Sequence, residues 1–461
     1  MSGARSTLEE TQHTARDGKT RHSRRRVLSM SGAAGGVSLL AACGGPLAQE
    51  TAKPLSATPV TLTYYKRSTL NDAGLETLYK DWTTQHPTWK IDTVQGVNDE
   101  KLAASIAAGE KLDTLTYNYA ARTMVLAYNM LRPIDSYVAK DKYNVKRFSE
   151  KEVDLVGRYD GKLWALPYAY GGNATALFFN RSLFKEAGVA EPPADWNQTW
   201  TFDAFRDNAR KLTKRQGSTI TQVAINGLSD APANTLSTLS ALTDAKIISD
   251  DYKKSMLDRP ETVDAFQRYA DLILKDLVTT GSPGADLGSG NAFLNGKQAM
   301  HVICCGPLAF ARQIKPTGID WGFAPMPKIK YTSPDFQSVL TLMPNSGANP
   351  DHGWELFKYI IEDSRLGTLE ERVPAVLEDA GDWAKASFAE YPNARAQVLV
   401  DSIKFARPVD KIKYHPATTE LYATARPVVE GMFQGKETVK QAFTVLHPQI
   451  QAIIDRTPAG K

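Results

Sequence analysis

Cysteine is scarce in this chain, with three residues in 461, at Cys43, Cys304 and Cys305. That excludes a disulfide framework and a cysteine-rich zinc module. Histidine is nearly as scarce. The seven histidines are His13, His22, His86, His301, His352, His415 and His447, and none of them stand at ligand spacing. His301 lies three residues before Cys304, which on a strand places the two on opposite faces. Neither a metal site nor a cofactor is therefore expected. Uninterrupted apolar runs of the ~18 residues that a membrane-spanning helix needs are also missing. So are the His-Glu-x-x-His, Gly-x-Ser-x-Gly and dinucleotide-binding patterns. Gly290 to Gln298 resembles a phosphate loop only faintly, with one residue too many between its glycines. Gln298 also stands where such a loop needs a hydroxyl for magnesium.

Net charge is the next thing lacking. The chain carries 55 Lys and Arg against 51 Asp and Glu, but the excess is local. Residues 1–42 hold Arg5, Arg16, Lys19, Arg21, Arg24, Arg25 and Arg26 against Glu9, Glu10 and Asp17. Removing those seven and three leaves 48 of each sign, so the body is neutral. A neutral body offers no field for a phosphate backbone, and nucleic acid is not expected as a partner.

What is present begins with "SRRRVLSMSGAAGGVSLLAACGG", Ser23 to Gly45. A basic run precedes a short, mildly apolar stretch, Val27 to Ala42, that ends in small residues before Cys43. The arrangement resembles a lipoprotein signal: residues 1–42 would be removed and Cys43 lipidated on its sulfur. Ser23-Arg24-Arg25 resembles a twin-arginine start, although Val27 and Ser29 depart from its usual Phe and Lys. Residues 43–58, small and Pro-containing, read as a flexible tether. Membrane contact is expected through the lipid alone.

Beyond the tether, strand and helix patterns alternate. "VTLTYYKR" (60–67), "WKIDTVQG" (89–96) and "KLDTLTYNY" (111–119) read as strands, and "DAGLETLYKDWTTQHP" and "DEKLAASIAAG" as helices. Such alternation predicts βαβ units and a mostly parallel α/β sheet. Ligands of such sheets bind beyond the carboxyl ends of strands, which singles out Lys66, Arg67, Tyr117, Asn118 and Tyr119. Further on, a short strand is expected over Leu163–Leu166, closed by Pro167, and another in "TALFFN" (175–180). "TFDAFRDNARKLT" reads as a helix capped by Thr201. "ETVDAFQRYADLILKD" and "HGWELFKYIIED" read as helices and "NAFLNGKQAM" as a short one. "MHVICCG" reads as an apolar strand. "TTELYATARPVVEGMF" reads as a helix broken or bent at Pro427, and one or two helices close the chain.

Several separated motifs resemble the carbohydrate-type extracellular solute-binding proteins of ABC importers, the class that includes maltose-binding protein. They are "GKLWALPYAYGGNATALFFNRSLFKEAGVAEPP", "TFDAFRDNARKLT", "FLNGKQAMHVICCGPLAF", "WGFAPMPK", "NSGANPDHGWELFKYIIED" and "GKETVKQAFTVLHPQIQAII". Their order and number carry the resemblance. It implies a two-lobe periplasmic-binding-protein-like α/β fold, with lobes joined by crossover strands and a ligand cleft between them. Residues 59–166 plus 338–372 would form lobe 1, and 168–336 plus 373–461 lobe 2. The implied partners are a sugar or related polyol and the permease subunits of an importer, with the receptor itself a monomer outside the cell membrane. The cleft would draw aromatic faces from Tyr65 (or its neighbour Tyr64), Tyr117, Tyr119, Tyr168, Tyr170, Phe310 and Tyr422. Gly306 and Pro307 would form a ligand-facing loop. Leu308 departs from the family's Trp. Cys304 and Cys305 would be small side chains on opposite faces of one strand, the alternative being a disulfide between the two neighbours.

A different class, a secreted carbohydrate-active hydrolase, would need a carboxylate pair such as Asp113 and Asp230, whose separation the sequence does not set. The anchor is testable separately. Cys43→Ser should release the protein from membranes in a sedimentation assay without altering ligand affinity; unchanged sedimentation counts against lipidation.

Overall fold

The computed structural model describes residues 59–457, apart from 67–71, 96–98, 118–123, 126–128, 175, 199, 229–234, 303–305, 333–334, 364, 370 and 408–409. In chain order its strands are β1 (Val60–Lys66), β2 (Trp89–Gln95), β3 (Thr114–Tyr117), β4 (Arg158–Tyr159), β5 (Lys162–Leu163), β6 (Ala165–Ala174), β7 (Leu177–Asn180), β8 (Lys214–Gln216), β9 (Thr219–Ile225), β10 (Gln298–Val302), β11 (Trp321–Ala324), β12 (Asp335–Leu342) and β13 (Val373–Pro374). They form a six-stranded sheet in the order β13-β6-β12-β3-β1-β2, a five-stranded sheet in the order β11-β7-β10-β9-β8, and the small β4-β5 hairpin.

The first sheet starts as the alternation predicts. β1 pairs in parallel with β2 and β3, and the helices Asp72–Gln85 and Asp99–Ala107 supply the crossovers. β12 then enters antiparallel between β3 and β6. The second sheet is likewise mixed: β9 and β10 run parallel, while β7, β8 and β11 run antiparallel to their neighbours. The expectation of a mostly parallel sheet is corrected here. A chain that leaves one sheet and later returns to it must run back through that sheet, and such strands pair antiparallel.

Pro167 does not end a strand. β6 runs through it for ten residues, and the lobe change expected at 166–168 falls inside this strand. Its pairing with β12 steps from Ala169 opposite Val339 to Pro167 opposite Leu340, which leaves Tyr168 as an extra residue. A bulge suits a residue without an N–H, because the ladder is interrupted there anyway. A second irregularity lies between the pairs Asp335–Ala174 and Gln337–Gly171.

Helices fall largely where the periodicity puts them: Phe202–Leu212, Pro260–Leu274, Pro350–Glu362, Thr418–Phe433 and Val439–Arg456. Thr201 caps the first of these, its hydroxyl accepting from the Ala204 N–H at 3.2 Å. Thr418–Phe433 and Val439–Arg456 each run unbroken through an internal proline, Pro427 and Pro448. The short helix expected in "NAFLNGKQAM" is a turn. The Asn291 carboxamide accepts from the Phe293 N–H at 2.9 Å, and Gly296 turns left-handed (φ 68°), so only about one turn forms before β10. Among the described residues no helix is long and apolar enough to cross a membrane.

Asp113 ties the first sheet to its covering helix. One carboxylate oxygen accepts from the Thr63 N–H at 3.0 Å, the other from the Asn349 N–H at 2.8 Å, just ahead of helix Pro350–Glu362. That helix comes so close at Gly353 that an added Cβ would sit 2.7 Å from the Asp113 carbonyl oxygen. The Thr114 hydroxyl also donates to the Gly353 carbonyl at 2.7 Å. Asp113→Ala leaves two N–H groups without their acceptor and should cost about 2–4 kcal/mol, read by urea denaturation. A loss under ~0.5 kcal/mol would show that this tie is not needed.

Candidate functional site

The strand registers define one edge on each sheet. In the first, the carboxyl ends of β1 and β3 are level with Leu340 of β12 and Pro167 of β6, and β6 and β12 run on together past them to the Ala174–Asp335 pair. In the second, the carboxyl ends of β9, β10 and β11 lie with the start of β7, since Ile225 pairs with Met300 and Leu177 with both Val302 and Ala324. The chain passes from Ala174 to Leu177 with two residues between. A trans chain spans at most roughly 11 Å over that step. The end of β6 in the first sheet and the start of β7 in the second are therefore close together. The chain also passes between the sheets from β11 to β12 and after β13.

Two sequence-predicted residues stand at the first edge. Lys66 closes β1 and Tyr117 closes β3, and both are buried. Tyr64 and Tyr65 are both buried but diverge, as strand neighbours must. Tyr64 makes a 2.7 Å hydroxyl–hydroxyl hydrogen bond with Thr116 and meets the Tyr79 ring edge-on. Tyr65 turns to the other face, its ring 6.5 Å from that of Tyr117. Of the paired tyrosines, Tyr65 is thus the one that shares a face with Tyr117. Arg67, Asn118 and Tyr119 lie outside the described residues, as do Asp230, Cys43, Cys304 and Cys305.

At the second edge, Gly306 adopts a left-handed conformation (φ 69°) and Pro307 starts helix Pro307–Ile314. A side chain on Gly306 would be strained there. Phe310, one turn into the helix, is buried against Phe178 (ring centroids 5.0 Å apart) and stacks on the His301 imidazole at 4.5 Å. His301 is held far below the usual histidine range, at about 4, by burial, and its Nδ1 bonds to the Gln298 amide nitrogen at 2.9 Å. The His301 ring is therefore neutral at neutral pH. Arg312 on the same helix pairs with Glu371 at 2.7 Å, next to β13 of the first sheet. Tyr422, on helix Thr418–Phe433, packs half-buried against the core.

Tyr168 and Tyr170 sit on β6, Tyr168 at the bulge and Tyr170 behind the crossing strands. The buried Tyr170 hydroxyl accepts from the Ser149 N–H at 3.1 Å. Beside it the buried Glu152 carboxyl accepts a hydrogen bond from Ser338 of β12. Burial, against the opposing Ser338 hydrogen bond, pushes this acid up to about 7, and burial followed by the Glu152 charge raises the Tyr170 phenol. The sequence gives no sign of this cluster. "SEKE" reads as a solvated helix start, and only tertiary packing buries Glu152. Among the described residues no group of three or more His, Cys, Asp or Glu side chains is placed to hold a metal ion.

Glu152 makes stability depend on pH. Its folded-state pKa lies above its unfolded value of about 4.3, so the native state binds the extra proton between them. Stability should fall as pH rises from about 4.3 to about 7 and then level off. Glu152→Gln should remove that slope, gaining up to ~3 kcal/mol over wild type at pH 8 and little at pH 4. Parallel stability-versus-pH curves would contradict the assignment.

Residues 65–364 match the family described as bacterial extracellular solute-binding protein. A maltotriose-binding protein of Pyrococcus abyssi is 24% identical over 270 residues, which is 57% of this chain and 53% of that protein. The chain thus spans about half the length of this curated relative. A periplasmic sn-glycerol-3-phosphate-binding protein of Agrobacterium fabrum is 21% identical over 72% of this chain and 77% of its own. Among solved structures, an ABC substrate-binding protein of Listeria monocytogenes in complex with cycloalternan superposes with a TM-score of 0.69. The two are 17% identical, with 86% of this chain and 99% of that one covered. At that identity the likeness speaks for the fold, a two-lobe α/β architecture joined by crossing strands.

Proposed function

The chain belongs to the bacterial extracellular solute-binding protein family, and from that premise we propose that it is a non-catalytic receptor that captures a carbohydrate between its two lobes and delivers it to an ABC importer. The observation that carries this reading is the short passage from Ala174 to Leu177, which leads β6 of the first sheet directly into β7 of the second. Clefts between domains at such edges are favoured ligand sites, and closure about crossing strands buries what enters.

The lining fits a sugar. Sugars offer apolar CH faces to aromatic rings and hydroxyls to polar side chains. Tyr65, Tyr117 and Tyr119 with Lys66, Arg67 and Asn118 would furnish the first edge, and Gly306, Pro307 and Phe310 the second. Tyr168, Tyr170 and Tyr422 would support from behind and beside. Asp113, the described member of the carboxylate pair that a hydrolase would need, holds two backbone N–H groups at the amino end of β3, which argues against its use as a catalytic acid or base. Anchoring through Cys43 outside the cell membrane completes the proposal.

A thermal-shift screen against mono-, di- and oligosaccharides and polyols should find a ligand that raises the melting temperature. Tryptophan emission should shift on adding that sugar while the sugar is recovered unchanged. Product formation by the purified protein alone would sink the receptor reading. Tyr422→Ala should weaken binding by ~1–3 kcal/mol, on the scale known for stacking of planar rings on aromatic side chains. Unchanged affinity removes Tyr422 from the site.

A further inference from the structure

The connection from β11 to β12 carries Lys328, Lys330 and Tyr331, and it lines a groove of about 480 Å³; among the described residues that line it there is no carboxylate, and the Asp244 carboxylate lies beside it on Lys330 and Tyr331. Lys151 of the short helix Glu150–Glu152 faces it from beside the first sheet. Lys404 and Arg407 face it from the last turn of helix Gln397–Phe405 and from the segment that follows. Two of these cations are already neutralised: Lys330 pairs with Asp244, and Lys404 with Asp401 at 2.8 Å. Lys151, Lys328 and Arg407 make no salt bridge among the described residues.

Arg407 is the informative one. Its guanidinium carbon lies 3.2 Å from the centroid of the Tyr331 ring, so one face of the plane is occupied. The donors of a guanidinium point along its plane, and stacking leaves that fork open. One of its terminal nitrogens is buried without a hydrogen-bond acceptor. A buried donor lacking an acceptor is costly, and native structures supply one. The surroundings are held firmly. The Lys330 and Tyr331 N–H groups both donate to the Leu242 carbonyl, at 3.0 and 3.1 Å, and the Tyr331 hydroxyl donates to Asp244 at 2.9 Å. Trp196 donates to the Val398 carbonyl at 2.8 Å and stacks on Phe405, which fixes the aromatic floor.

We infer that this groove is a second binding site, distinct from the cleft, for a phosphate-bearing organic anion: Arg407 takes two phosphate oxygens through its open fork, Lys151 and Lys328 neutralise the remaining charge, and Trp196 and Phe405 cover the organic part. The choice of phosphate over a monocarboxylate follows from three unpaired cations facing one small volume. A bidentate guanidinium fits phosphate geometry, and the lysines serve as point charges. The inference does not depend on what the cleft binds.

The test uses the mature chain and inorganic pyrophosphate as probe, at constant ionic strength, by calorimetric titration. Saturable binding is expected, weakened about tenfold or more in Arg407→Gln and in Lys328→Glu. Lys328 is exposed, so Lys328→Glu should melt at the wild-type temperature and any loss of binding is not loss of fold. Arg407→Lys keeps the charge without the fork and should fall between wild type and Arg407→Gln. Vesicles of phosphatidylcholine with and without phosphatidylglycerol distinguish the source of the phosphate. Retention by phosphatidylglycerol alone, reversed by pyrophosphate, assigns a lipid headgroup; saturable pyrophosphate binding without vesicle retention assigns a soluble phosphate ester. Absence of saturation, an affinity that Lys328→Glu leaves unchanged, or acetate competing as well as pyrophosphate overturns the site.

Discussion

Two residues between Ala174 and Leu177 set the architecture of this protein. A chain that must leave one sheet and enter another within that span cannot separate them, and it must join them at the edges where its own strands end and begin. The antiparallel pairing of β6 with β12 reinforces this, because the outward and returning paths lie side by side in the first sheet.

Much of the fold is legible in the sequence, and the reasons are local. β1 and β2 are dense in β-branched and aromatic residues. Helices such as Phe202–Leu212 and Val439–Arg456 announce themselves by caps, the latter with a reciprocal box between Thr438 and Gln441. Errors arise where tertiary context overrides a local signal. Pro167 reads as a strand end, but a bulge absorbs its missing N–H. "NAFLNGKQ" reads as a helix, but Asn291 and Gly296 close it after one turn. The mixed pairing of both sheets depends on where the chain returns, which no window of ten residues contains.

The candidate site was legible in a narrower sense. Which residues close the parallel strands follows from βαβ topology, so Lys66 and Tyr117 can be placed at strand ends in advance. The choice between Tyr64 and Tyr65 cannot, because alternation says that they diverge without saying which way. In the structure Tyr64 engages Thr116 and Tyr79, and Tyr65 lies on the face it shares with Tyr117. The buried acid of Glu152 and the open guanidinium of Arg407 are invisible beforehand. Each is an ordinary surface residue by sequence, and becomes unusual only through the partners that β12 and Tyr331 bring to it.

The bulge at Tyr168 has a mechanical consequence. A strand free to slip by one residue would let the two sheets drift relative to each other. On β6 such a slip would move Pro167 into a position where its neighbour requires an N–H donor, and Pro has none. The proline therefore acts as a ratchet tooth: β6 is seated in one register, and the end of the strand at Ala174 stays at a fixed height on the sheet edge. Sliding of β6 along β12 is thereby opposed by a residue that has no N–H to give.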